Sequence, residues 1–148
     1  MQHRWSWLAS LIVLLMTLEC AWAGGGPENV AVVVNADSWA SLAVANEYVA
    51  LRRIPECNVI YLSDLPGNLS IDVQQFRELI LRPVLQTLER RGLTGQIDAI
   101  AYSADLPYSV HVEGDLGEHK LHRALTPEAS INGLTYLYSL VLAKDASG

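Results

Sequence analysis

Apolar and polar positions along the chain follow two spacings, which predict three strands separated by two helices. The run Val30–Asn35, apolar up to its final asparagine, is typical of a strand buried on both faces. Shorter apolar runs at Val59–Leu62 and at residues 97–102 predict two more strands. Residues 39–53 and 71–91 instead carry apolar side chains at helical spacing.

This succession of elements predicts an α/β fold. Strands and helices that alternate with short loops form a parallel sheet covered by its crossover helices. We therefore expect a three-layer βαβαβ core with helices on both faces, in strand order 2-1-3 or 3-2-1. A typical sheet has about five or six strands, so we expect either an N-terminal part of a longer protein or a sheet that a partner completes.

The second predicted helix has the clearest apolar face in the chain. That face consists of Phe76, Leu79, Ile80, Pro83, Val84 and Leu88. The opposite, polar face consists of Arg77, Glu78, Gln86, Glu89 and Arg90. Ser70 is expected to cap the start of the helix, and Gly92 to end it. Because Pro83 has no amide hydrogen, a kink or break is expected near residues 81–82.

Beyond the third strand the pattern is less regular. Alternation across residues 108–112 predicts a half-exposed strand. Residues 126–128 (Thr-Pro-Glu) are a typical helix start and lead into the apolar segment 134–144, although the turn dipeptide at residues 132–133 would delay the helix. Tyr136 and Tyr138 fall on different faces of that helix, so we expect no aromatic platform there.

The first 23 residues read as an export signal. His3 and Arg4 precede an apolar run at residues 8–18, and the small-x-small site at residues 21–23 follows. A membrane-spanning helix needs about 18–20 apolar residues, and this run is shorter. The expected product is therefore an exported protein, periplasmic or secreted, with a single α/β domain at residues 24–148 and no stable membrane span.

Charge and cysteine content narrow the class further. The 148-residue chain has a net charge of −6 and no basic run, which argues against nucleic-acid binding. Removal of the signal would take Cys20 away and leave Cys57 without a disulfide partner. We expect Cys57 to be a small apolar residue buried at a strand entrance rather than a reactive thiol.

Several segments together resemble the start of an uncharacterised family of exported bacterial proteins. In that family a strand ending in Asn-x-x-Ser is followed by a Tyr…Arg-x-Ile-Pro…Asn-Val segment. The matching positions are Asn35, Ser38, Tyr48, Arg53, Ile54, Pro55, Asn58 and Val59. The resemblance covers about residues 28–107 and implies a longer protein, with no activity attached.

A more distant resemblance is to the βαβαβ core of caspase- and gingipain-like peptidase folds. Those enzymes carry a His-Gly after one strand and a cysteine after the next. Residues 103–105 (Ser-Ala-Asp) stand at that place here, so the chain departs from the peptidase pattern.

Polar residues follow each predicted strand of the sheet. These candidate binding residues are Asn35, Asp37, Ser38, Asp64, Ser103 and Asp105. Ligands of open parallel sheets bind beyond the carboxyl ends of the strands, where these carboxylates could hold Mg²⁺ or accept hydrogen bonds from sugar hydroxyls. The alternative is that they cap a helix and form turns. The glycine motifs of nucleotide sites are missing from the sequence, and we predict no cofactor.

A second candidate is a loop rich in histidine and acidic residues. His119 and His122 could face one ion on a helical turn, with His111 or Glu113 as a third ligand. The alternative is a solvated surface loop. Ser103, eight residues before His111, is the most plausible hydroxyl for nucleophilic catalysis, but no nucleophile-elbow motif accompanies it.

Three functions fit these observations. The first is an exported α/β domain that binds or scaffolds, without a complete catalytic set. The second is the N-terminal part of a secreted, peptidase-like hydrolase whose site downstream sequence completes, with Asp37, Ser38 and Asp105 forming one wall. The third is metal binding through residues 111–122. Exposed strand edges also favour self-association or contact with a downstream domain.

Overall fold

The computed structural model describes residues 25–116 and 126–144. Its strands are β1 (Val30–Asn35), β2 (Val59–Leu62), β3 (Ser70–Asp72), β4 (Ala99–Tyr102), β5 (Ser109–His111) and β6 (Glu128–Ser130). Its helices are α1 (Trp39–Arg52), α2 (residues 73–90), α3 (Glu113–Leu116), α4 (Ile131–Tyr136) and α5 (Tyr138–Ala143).

The first sheet contains the three strands that the sequence predicts. β1 lies between β2 and β4 and is parallel to both, with Val32 opposite Val59 and Val30 opposite Ala99. Numbered among these three strands alone, the order is 2-1-3. The predicted α/β fold with a parallel sheet is confirmed.

Helices cover both faces of this sheet. Val32 and Val34 of β1 pack toward Ala45 of α1, whereas Ala31 and Val33 belong to a separate cluster on the α2 side. All four of these β1 residues are at most 2% exposed. The side chains of a strand point alternately to opposite faces, so this double burial explains why β1 is apolar at every position before Asn35. The predicted three layers are confirmed.

Helix α1 follows the sequence closely. Ser38 caps it by accepting a hydrogen bond from the amide of Ser41, and the helix ends where Arg53 turns into the left-handed region at φ 56°. Pro55 follows two residues later and cannot continue a helix. The structural end is one residue before the predicted one.

Helix α2 begins two residues later than predicted. Ser70 is not its cap, because residues 70–72 pair with β5 as strand β3. Asp72 caps the helix instead: its carboxylate accepts from the amide of Gln75, and its own amide donates to the side-chain carbonyl of Gln75. The helix ends at Arg90, and Gly92 follows its last turn, as predicted, with φ 68° and a hydrogen bond from the Leu93 amide to the Leu88 carbonyl.

The predicted disturbance before Pro83 takes the form of a wide turn. Phe76–Leu81 is π-helical, flanked by the α-helical segments Val73–Gln75 and Arg82–Arg90, and the amide of Arg82 donates to the carbonyl of Arg77. A proline ring clashes with the carbonyl four residues before it in a regular helix. The wider turn precedes the proline and leaves the helix continuous.

The π turn changes which side chains of α2 are buried. Phe76, Ile80 and Leu81 are fully buried, at spacings of four and five residues. Leu79 is 37% exposed and Arg77 is 2% exposed. The predicted faces are therefore wrong at Leu79 and Arg77, because a regular 3.6-residue period does not apply across a π turn.

A second sheet was only partly predicted. β5 is parallel to β3 and antiparallel to β6, and the buried Val110 confirms the predicted half-exposed strand. The helix start predicted at residues 126–128 is wrong, because Glu128–Ser130 pairs with β5. Ser130 then caps α4 through the amide of Gly133, so the predicted turn dipeptide lies inside a helix.

One large apolar core joins the two sheets. Phe76 and Ile80 of α2 belong to the same cluster as Val110 of β5, Ile131 of α4 and Val141 of α5. Among the described residues, none of the helices combines the length and apolar character needed to cross a lipid bilayer.

Cys57 differs from expectation. It lies in the short 3-10 turn Glu56–Asn58 before β2, and its thiol is exposed. The expected burial is wrong, because the buried residue of this turn is Asn58. The Asn58 side-chain amide donates to the carbonyls of Glu28 and Val30 at 2.8 and 3.0 Å.

Candidate functional site

The structure brings the predicted strand-end residues to one edge of the first sheet. We name Asn35, Asp37, Ser38, Asp64, Ser103 and Asp105 the carboxyl-edge cluster. Ser38 donates through its hydroxyl to the Asp105 carboxylate at 2.5 Å, and the side-chain amide of Asn35 donates to the Asp105 carbonyl at 2.8 Å. The loops after β1 and β4 are joined by these two bonds.

The loop after β2 is tied into the same cluster. The amide of Asp64 donates to the Asp37 carboxylate at 2.7 Å, and the amide of Asp37 donates to the Asn35 side chain at 3.0 Å. Asp64 and Asp105 both adopt left-handed backbone conformations, with φ of 56° and 53°. Aspartate tolerates this region better than most residues, so both positions are suited to turns.

The Ser103 side chain hydrogen-bonds to α1 and not to the other residues of the carboxyl-edge cluster. Its hydroxyl donates to the carbonyl of Ser41 at 2.7 Å. Ser41 is fully buried in α1, and its own hydroxyl accepts from the amide of Asn35 at 2.9 Å. Ser103 thus fastens β4 to α1, and it is not the hydroxyl partner of His111.

The bonds within the carboxyl-edge cluster are those of caps and turns. Within residues 25–116 and 126–144, no three His, Cys, Asp or Glu side chains form a group that could hold a metal ion. The cluster therefore positions three loops, and a ligand-binding role for its residues stays a prediction.

His111 makes a line of contacts across the second sheet. Its Nε2 lies 2.8 Å from the Ser70 hydroxyl, and its Nδ1 lies 3.5 Å from the Glu128 carboxylate. Ser70, His111 and Glu128 belong to three neighbouring strands and share the face opposite the buried Val110. A hydroxyl, an imidazole and a carboxylate in this order match a nucleophile, a base and the group that orients the base.

The predicted metal site is only partly described. Glu113 is exposed at the start of α3, whereas His119 and His122 lie outside the described residues. Both ring nitrogens of His111 already have partners, so a metal ion would have to displace one of them. Metal binding through these residues stays a prediction.

The sequence did not reveal a groove that runs along β4, which we name the β4 groove. It has a volume of about 900 Å³. Leu85, Leu88 and Glu89 of α2 form one wall, and Asn132, Thr135, Tyr136 and Tyr138 form the other. β4 lies along the floor and is the outer strand of the first sheet.

Tyr136 and Tyr138 do not lie on one continuous helix, contrary to the prediction from the sequence. Tyr136 ends α4 and Tyr138 begins α5, because the helix predicted to be continuous is interrupted at Leu137. Both line the groove, and they are 87% and 48% exposed. An apolar segment containing Asn-Gly and two close tyrosines was the available signal, but the break at Leu137 could not be placed from spacing.

A half-buried hydroxyl pair lies at the carboxyl end of β4. The phenol of Tyr102 and the Thr135 hydroxyl are 2.7 Å apart, and Thr135 also donates to the Ile131 carbonyl. Burial raises the pKa of Tyr102 to about 12, against a smaller lowering by the Thr135 hydrogen bond. The Tyr102 phenol is therefore neutral at physiological pH and can donate a hydrogen bond to a ligand or accept one from it.

The charges of the groove have one sign. Glu89 lies in the last turn of α2 and Asp98 comes directly before β4, so both carboxylates belong to the amino end of the strand. The described residues that line the groove include no Lys, Arg or His.

Comparisons of the chain with models of protein families, with curated proteins and with solved structures found no match.

Proposed function

We propose that this protein is a binding domain that receives its ligand in the β4 groove. One observation carries the proposal: a concavity of about 900 Å³ has mostly apolar walls and a few polar groups at defined places. Small-ligand sites have volumes of roughly 300–1,000 Å³ and this combination of surfaces. The carboxyl-edge cluster supports the role indirectly by fixing the loops around the sheet.

The test is to map ligand contacts on the chain. Panels of short peptides and of cell-wall oligosaccharides are titrated into ¹⁵N-labelled protein, and we expect shifts at Ile100, Tyr102 and Thr135. Tyr136→Ala, at a solvent-exposed wall position, should weaken binding without unfolding the protein. Trp39→Ala is the matched control, because Trp39 is 82% exposed at the start of α1 and does not line the groove. Shifts confined to other surfaces would contradict the proposal.

The proposal includes an exported location. It is supported by the signal-like residues 1–23 and by the resemblance to an exported bacterial family. Fractionation of cells expressing the full chain, followed by N-terminal sequencing, should give an exported product that starts at Gly24. Retention of Met1 in a cytosolic product would contradict it.

A second candidate function is hydrolysis at Ser70, favoured by its contacts with His111 and Glu128. The hydroxyl would attack an ester carbonyl and pass its proton to His111, which returns it to the leaving alcohol. Water would then release the acyl group from Ser70 by the same proton route.

A chromogenic acetate ester tests this second candidate. Ser70→Ala and His111→Ala should each lower the rate at least about 100-fold, the scale of general-base catalysis. Ser63→Ala is the control, because Ser63 is an exposed serine after a strand of the other sheet. Equal rates in all variants would exclude hydrolysis at Ser70.

A further inference from the structure

We infer that the ligand of the β4 groove is an extended peptide that adds a fourth strand beside β4 and carries a basic residue. This inference rests on the proposed binding role of the groove and names the class of its ligand. Three observations support it: an unpaired strand edge, acidic charge at one end of the groove, and aromatic side chains at the other.

The first observation concerns the outer edge of β4. Among the described residues β4 pairs only with β1. The amide of Ser103 donates to the carbonyl of Val33, and amides alternate in direction along a strand. Those of Ile100 and Tyr102 therefore point away from β1, toward the open edge of the sheet. Unpaired strand amides and carbonyls are a template for another strand.

The second observation concerns charge. Glu89 and Asp98 are both exposed, and neither makes an ion pair with a described residue. Both line the groove, with Asp98 directly before β4 and Glu89 in the last turn of α2, so a Lys or Arg side chain of a ligand at this end would meet two carboxylates. A second copy of this chain would bring two more carboxylates and, among the described lining residues, no cation. Charge therefore favours a basic peptide over self-pairing.

The third observation concerns length and the opposite end. β4 has four residues, which span about 13 Å at roughly 3.3 Å per residue. Tyr102 ends β4, so it lies about that distance from Asp98 on the floor of the groove, and Tyr136 lines the wall. The peptide is thus expected to place a bulky apolar residue about four positions from its basic residue.

Two synthetic pentapeptides test the inference, acetyl-Lys-Val-Thr-Val-Phe-amide and the same peptide with Glu in place of Lys. The lysine peptide should shift the Ile100 and Tyr102 amides and slow their hydrogen exchange, with at least tenfold tighter binding than the glutamate peptide. Asp98→Asn combined with Glu89→Gln should remove that preference. Glu47→Gln should retain it, because Glu47 is exposed on α1. N-methylation of the peptide backbone should abolish binding.

The outcomes separate this inference from the proposed function. Groove shifts caused by a cell-wall oligosaccharide but not by the lysine peptide would leave the binding role standing and overturn the peptide inference. Protection of Ile100 and Tyr102 that rises with protein concentration alone would identify a second copy as the occupant and also overturn it. An absence of groove shifts with every probe would overturn both proposals.

Discussion

The guanidinium of Arg77 is buried in the core and forms an ion pair with the carboxylate of Asp115. Arg77 is 2% exposed, and its Nε donates to the carbonyl of Val141 at 2.8 Å. One side chain of α2 thereby joins α3 and the end of α5. A buried cation of this kind is stable only while its partners neutralise it.

Removal of the partner should therefore destabilise the fold. Asp115→Ala leaves the buried guanidinium without its counter-charge, and we expect a loss of about 3 kcal/mol in the free energy of unfolding. Urea denaturation measures it. The control is Glu78→Ala, which breaks the exposed pair of Glu78 with Arg82 and should change stability by about 0.5 kcal/mol or less. Equal effects of the two substitutions would contradict the role assigned to Asp115.

Tyr102 should make stability depend on pH in the alkaline range. Burial raises its pKa in the folded protein to about 12, from the ordinary tyrosine value of 10.0. The unfolded chain thus loses its proton first, so this contribution is complete below pH 10 and is lost as the pH rises toward 12. Tyr102→Phe should flatten the fall in unfolding free energy between pH 10 and pH 11.5. Tyr136→Phe, at an exposed position, should keep the wild-type slope.

The cap of α1 should contribute measurably to stability. Ser38 accepts from the Ser41 amide and donates to Asp105, so Ser38→Ala removes both bonds. We expect a loss of about 1–2 kcal/mol, the scale of a helix cap, measured by thermal and urea unfolding. Ser63→Ala should be neutral, and a neutral Ser38→Ala would show that neither bond contributes.

The thiol of Cys57 should react in the folded protein. Cys57 is exposed, so a Cys20→Ser variant should release one equivalent of chromophore with Ellman's reagent without denaturant. Further substitution of Cys57 by serine should abolish the reaction and leave stability within about 0.5 kcal/mol. A thiol that reacts only after unfolding would contradict the exposed position.

The first sheet was predictable because local and tertiary signals agree there. β1 is apolar at successive positions because helices cover both faces, and α1 has its cap at Ser38 and a proline two residues after Arg53. The loops that carry Asp37, Asp64 and Asp105 meet at one edge of the first sheet. This could be predicted because the carboxyl ends of parallel strands lie at the same edge.

The remaining features depend on tertiary contacts that the spacing of apolar residues along the chain does not predict. β3 and β6 have three residues each, too few to show a period, and they are extended because both pair with β5. Arg77 was assigned to a polar face because arginine is rarely buried, whereas Asp115 and the Val141 carbonyl satisfy it. Tyr136 and Tyr138 line the β4 groove on either side of the interruption at Leu137, and no single residue type predicts that interruption.

The π turn of α2 has a consequence for aligning the sequence of this chain with the sequences of related chains. A π turn contains one residue more than the corresponding turn of a regular helix. In α2 we assign the partly exposed Leu79 as this additional residue. A related chain without Pro83 could lack that residue and still keep its flanking core positions in phase. Alignments across residues 76–83 should therefore permit a one-residue gap wherever the proline is absent.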